Sequence, residues 1–124
     1  MIEGNCLGLC ITKLLGLPEE LDLTAGCQGC QLDTMQTELA KRGFAPVRVK
    51  CQEGDRETSV CIGAGGMYIA MCRCMDGDRH AVLCRDRSVI FDSASDDGGV
   101  TRVMWPEEYL FIVKLDTEKA KEGV

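Results

Sequence analysis

The hydrophobic period of this chain changes once, near Gly43, and that change limits the folds open to it. Before Gly43, Leu7, Cys10, Ile11, Leu14 and Leu15 recur at helical spacing. They predict a helix from about Cys6 to Leu15 that stops at Gly16-Leu17-Pro18, a glycine and proline pair that cannot extend it. A loop with an acidic opening and a Gly26-Cys27-Gln28-Gly29-Cys30 turn follows. A second helix then places Leu32, Met35, Leu39 and Ala40 on its buried face. Lys41-Arg42 in its last turn suit the helix dipole, and Gly43 ends it.

Beyond Gly43 the alternation is two residues long. Val47 and Val49 alternate with Arg48 and Lys50, residues 58–62 read as a short strand, and residues 67–75 as a longer one. Polar turns are expected at 52–56 and at Asp76-Gly77, a polar loop at 93–99, and a closing strand at 110–115. The expected fold class is α+β: N-terminal helices packed on an antiparallel β-sheet of four to six strands. Residues 1–115 form one domain in this reading, and 116–124 a charged tail.

Charge and cysteine content narrow the function. A net charge of −6 and a pI near 4.7 argue against nucleic acid as a partner, because phosphates demand a basic surface. No apolar run approaches the roughly 20 residues of a membrane helix, and the amino terminus has no signal-peptide pattern, so a cytoplasmic location is expected. The nine cysteines are odd in number and several lie within apolar patterns, as Cys10, Cys61 and Cys84 do; they read as reduced thiols.

His80 is the chain's lone histidine, and it opens a hairpin. Ala81, Val82, Leu83 and Cys84 form one arm, and Val89, Ile90 and Phe91 the other. With a three-residue loop at 85–87, Cys84 faces Ser88, Val82 faces Ile90 and His80 faces Asp92. A loop of even length would turn Asp92 to the other face. Asp92 would hold one imidazole nitrogen and leave the other to serve a nucleophile. Cys6 fits that part. Asn5 is a suitable N-cap, and Cys6 then falls in the first helical turn, where the helix N-terminus favours a thiolate. Nucleophile, base and orienting carboxylate are thus Cys6, His80 and Asp92.

The order of Asn5-Cys6 opening a helix, a second helix from Leu32 to a closing glycine, the stretch from Tyr68 to Cys74, His80-Ala81-Val82, Val89-Ile90-Phe91-Asp92 and Trp105-Pro106 carries a resemblance. From residue 4 to 115 the chain resembles papain-like cysteine peptidases, above all the bacteriocin-leader-processing peptidase domains of peptide exporters and their small bacterial and phage relatives. The resemblance implies a papain-like fold, a peptide or protein substrate, no cofactor, and cleavage of a peptide, isopeptide or other amide bond. Deamidation or transfer to an amine would use the same groups. Those peptidases usually carry an oxyanion-binding glutamine several residues before the nucleophile. Only five residues precede Cys6 here and none is glutamine. Asn5, or Gln28, Gln31 or Gln36 brought near by the fold, would take that place beside the Cys6 amide.

Two other readings accompany this one. A papain-like fold can act as a binding or inhibitor module, such as a phage effector acting on a host protein. Cys27 and Cys30, with Cys72 and Cys74 as an irregular second pair, have a spacing that could hold structural zinc, although the expected metal content is none.

Overall fold

A computed structural model describes residues 4–24, 28–50, 66–74, 77–85, 88–93 and 104–115. The architecture is α+β: two helices packed on a five-stranded antiparallel sheet. In chain order the elements are α1 (Cys6–Leu15), a 3-10 turn (Gln28–Cys30), α2 (Gln31–Lys41), β1 (Phe44–Lys50), β2 (Met67–Cys74), β3 (Arg79–Arg85), β4 (Ser88–Phe91) and β5 (Met104–Lys114). Across the sheet the strands run β1-β5-β2-β3-β4. The expected strand at 58–62, the loops at 52–56 and 94–99, Cys27 and the tail at 116–124 lie outside the described residues.

Helix ends follow the sequence signals. Gly16 takes a left-handed conformation (φ 64°), and its amide donates to the Lys13 carbonyl while the Leu17 amide donates to the Thr12 carbonyl. This paired closure satisfies two carbonyls that a helix terminus leaves open. The buried face of α2 differs from expectation. Met35 and Leu39 are buried, Leu32 is half-buried and Ala40 is exposed; Gln31, one turn before Met35, is buried instead.

The core has two sides. Leu7, Cys10, Ile11, Met35 and Leu39 from the helices pack on Ile69, Met71, Ala81, Leu83 and Leu110. The other sheet face gathers Tyr68, Ala70, Cys72, Val82, Cys84 and Tyr109, with Phe111 at its margin. Tyr68 and Tyr109 meet edge-on at 5.5 Å between ring centroids. β2 lies between β5 and β3 and is buried on both faces, which explains its nearly continuous apolar sequence.

β5 is longer than the sequence suggests, starting at Met104 rather than Leu110. Its first half pairs with β2 through Trp105 and Pro106, and its second half also pairs with β1. Cys72 pairs with Pro106 but Met71 with Glu108, so Glu107 is an extra residue in a bulge. The bulge interrupts the two-residue alternation from which a strand is recognised.

The hairpin also departs from its expected register. β3 ends at Arg85 and β4 begins at Ser88, so the connection is two residues, not three. Arg85 pairs with Ser88 and Cys84 with Val89, but Leu83 pairs with Phe91. Ile90 is therefore the extra residue of a second bulge.

Candidate active site

α1 docks along the outer edge of β3. Lys13 Nζ lies 5.4 Å from the centre of the Phe91 ring, and Phe91 pairs with Leu83. Near the helix start, the Ala81 amide donates to Cys6 Sγ at 3.3 Å. One turn on, Cys10 Sγ donates to the Ala81 carbonyl at 3.5 Å. α1 thus runs in the direction of β3, with its N-terminus toward Arg79. Among the described residues, pairing of β4 with β3 stops at Leu83, and the two cysteines, four residues apart on one helical face, meet the peptide groups of Ala81 beyond it. Helix and strand are locked at the point where the lone histidine precedes Ala81.

His80 is 1% exposed and pairs across the sheet with Cys72. Its Nε2 lies 2.5 Å from Asp92 Oδ1. Without a bulge, the two-residue connection would put Asp92 on the face opposite His80. Ile90 restores the parity: one step beyond the Leu83–Phe91 pair, Asp92 stands beside Val82 and diagonal to His80 on one face. The expected partnership therefore forms by a different register from the one the sequence suggested.

The Cys6 thiol, 4% exposed, lies close enough to the His80 ring to act on its charge. That contact is the main reason the imidazole pKa is pushed up from 6.5 to about 9; burial opposes the rise, and the Asp92 carboxylate adds to it. With Nε2 held by Asp92, Nδ1 is the nitrogen that can exchange a proton with Cys6. Cys6, His80 and Asp92 are brought together. Two other buried thiols are of a different kind: burial pushes Cys10 up, and Cys84 up to about 11. Both stay un-ionised at neutral pH.

Asn5 does not cap α1 with its side chain. Its Oδ1 accepts from the Leu23 amide at 2.9 Å, and its Nδ2 donates to the Leu21 carbonyl and to Glu20 Oε1, each at 3.0 Å. Both amide hydrogens expected to serve an oxyanion thus hold the loop after α1. Gly8 makes the approach possible, since a Cβ there would lie 2.1 Å from the Leu21 oxygen and 2.4 Å from Asn5 Oδ1. From the other side, Gln31 Nε2 donates to the Gly4 carbonyl at 3.1 Å, tying the start of α2 to the turn before Cys6.

Sequence reading missed the parts played by Ala81, Gly8 and Gln31. A glycine and a glutamine at positions of an otherwise apolar helix face were the available signals. Cys27 lies outside the described residues, and among those described no group of three or more His, Cys, Asp or Glu is arranged to hold a metal ion. No described helix is long and apolar enough to cross a membrane. No family model, curated protein or solved structure matches this chain.

Proposed function

We propose that this protein is a papain-like thiol hydrolase that cleaves a peptide, isopeptide or related amide bond through Cys6, His80 and Asp92. The observation that carries the proposal is the convergence of three groups: the buried Cys6 sulfur, held by the Ala81 amide at 3.3 Å, acts on the His80 ring, whose Nε2 lies 2.5 Å from Asp92 Oδ1. His80 takes the thiol proton, and the Cys6 sulfur attacks the carbonyl carbon. Amides of the first turn of α1 receive the developing oxyanion, helped by the positive end of the helix. His80 then protonates the leaving amine, and a water activated by the same imidazole hydrolyses the thioester. Asp92 keeps the ring oriented and supports its charge. A non-peptide amide, or an amine in place of water, would give deamidation or transfer by the same steps.

The test is reaction with an acyl-type thiol probe, such as a peptidyl acyloxymethyl ketone. Wild type should label on Cys6, His80→Ala should label at least a hundredfold more slowly, and Cys6→Ala should not label. Equal labelling of Cys6→Ala would end the proposal.

A second reading, a papain-like binding or inhibitor module, draws on one observation: Asn5 is engaged by the loop at 20–23 rather than by the site. A stoichiometric complex with a protein partner, unchanged by Cys6→Ala and His80→Ala, would favour it.

A further inference from the structure

The sheet face that carries α1 does not end with the residues the helix covers. Arg79 lies two residues before Ala81 on β3, and Arg73 two residues after Met71 on β2. Ala81 and Met71 belong to the helix-facing core, so both arginines continue that face one pleat further, about 7 Å along the strands. Arg79 pairs directly with Arg73, and Arg73 directly with Trp105. The three form a row across β3, β2 and β5, beyond the N-terminus of α1 that carries Cys6.

The row is held together by one carboxylate. Arg73 Nε donates to Glu107 Oε2 at 2.9 Å, and Arg79 Nε lies 3.4 Å from Glu107 Oε1. Glu107 is the bulge residue of β5, so the irregularity that interrupts the strand pattern aims this side chain between the two guanidinium groups. Both meet Glu107 through Nε, not through their terminal amino groups. Their side chains are 41% (Arg79) and 38% (Arg73) exposed, and Trp105 is 47% exposed. Two positive charges against one negative leave an excess of one positive charge, in a chain whose net charge is −6. The helix N-terminus adds its own partial positive charge from the same direction.

From this geometry we infer that the site prefers substrates with a carboxylate one or two residues from the scissile bond, bound by the guanidinium groups of Arg79 and Arg73 with Trp105 as an apolar wall. This rests on the thiol-hydrolase reading and names its substrate class. The spacing follows from the 7 Å offset, since an extended peptide advances about 3.3–3.6 Å per residue. Planar guanidinium groups match a carboxylate through paired N–H donors, which a neutral amide cannot reproduce. The carboxylate can belong to an aspartate or glutamate side chain or to a chain terminus.

The experiment uses peptide vinyl sulfones, in which the Cys6 sulfur adds to the vinyl carbon and the adjacent carbon takes the proton, with no leaving group. Matched probes carry glutamate, glutamine or lysine next to the electrophile, with amidated ends; a fourth carries alanine and a free carboxyl terminus. Glutamate should label Cys6 at least tenfold faster than glutamine and faster still than lysine. The terminal-carboxylate probe tells whether a chain end serves as well. Arg79→Gln and Arg73→Gln should bring the glutamate-to-glutamine ratio toward one; both probes meet the same thiol, so a general change in Cys6 reactivity cancels from the ratio. Glu107→Gln, which keeps both arginines, should raise the ratio. Equal rates for the three side chains in the wild type, with His80-dependent labelling intact, would overturn this inference and leave the hydrolase reading standing. Loss of His80 dependence would remove the reading beneath it.

Discussion

The Ala81 amide donates to the Cys6 sulfur at 3.3 Å, fixing the start of the first helix against the strand that carries His80. The carbonyl of the same residue accepts from Cys10. Two thiols thus occupy one strand edge with opposite chemical prospects: Cys6 touches an imidazole, whereas burial holds Cys10 as a thiol. Brief alkylation of the native protein near neutral pH, followed by peptide mapping, should modify Cys6 and leave Cys10 and Cys84 unmodified. Equal modification of Cys10 would contradict this division.

Because His80 is the lone histidine, its ring protons can be followed by NMR without assignment ambiguity. The wild-type resonance should titrate near pH 9. Cys6→Ala removes the largest influence and should bring the midpoint down toward 6.5; Asp92→Asn should lower it by less. An unchanged midpoint in Cys6→Ala would mean that the thiol and the ring do not interact.

The same shift links stability to pH. The folded-state value of about 9 exceeds the ordinary 6.5, so the folded protein binds the His80 proton more tightly than the unfolded chain does. The share of stability carried by the His80 proton is present in full below about pH 6.5 and is lost as pH rises through 9; a proton passed from Cys6 to the ring offsets part of it, because the folded pair then holds no more protons than the unfolded chain. Urea midpoints of wild type should fall as pH rises through 9, and those of His80→Gln should change less there.

Gly8→Ala sets helix propensity against packing. Alanine favours a helix interior by about 1 kcal/mol. At this site the new methyl would collide with the Leu21 carbonyl and the Asn5 side chain. Overpacking typically costs about 1–3 kcal/mol and sometimes more, so net destabilisation is expected, together with slower Cys6 labelling because the start of α1 must shift. Thermal melts and labelling rates measured on one preparation test both effects.

Much of this arrangement is legible in the residues. Helical spacing and a glycine-proline stop locate α1, and Gly43, with φ 84°, follows the end of α2. The lone histidine and the cysteine at a helix start point to two members of the candidate site without coordinates. The third was named through the wrong register, because Ile90 is an exposed apolar residue whose place in a bulge leaves no compositional trace. Pro106 and the bulge at Glu107 concealed the first half of β5 for the same reason. Asn5 looks like a helix cap in sequence, but the loop at 20–23 passes close enough to take both ends of its amide. Such long-range contacts depend on the packed fold, which local sequence rules do not contain.

The central claim is that the sulfur on the first helix and the single imidazole work as one unit. The most direct measurement is the rate of Cys6 alkylation by iodoacetamide between pH 6 and 8, in wild type and in His80→Ala. A working pair predicts wild-type labelling at pH 6 within a few-fold of its rate at pH 8, while the variant climbs roughly tenfold per pH unit like a simple thiol. Parallel profiles for the two proteins would contradict the claim.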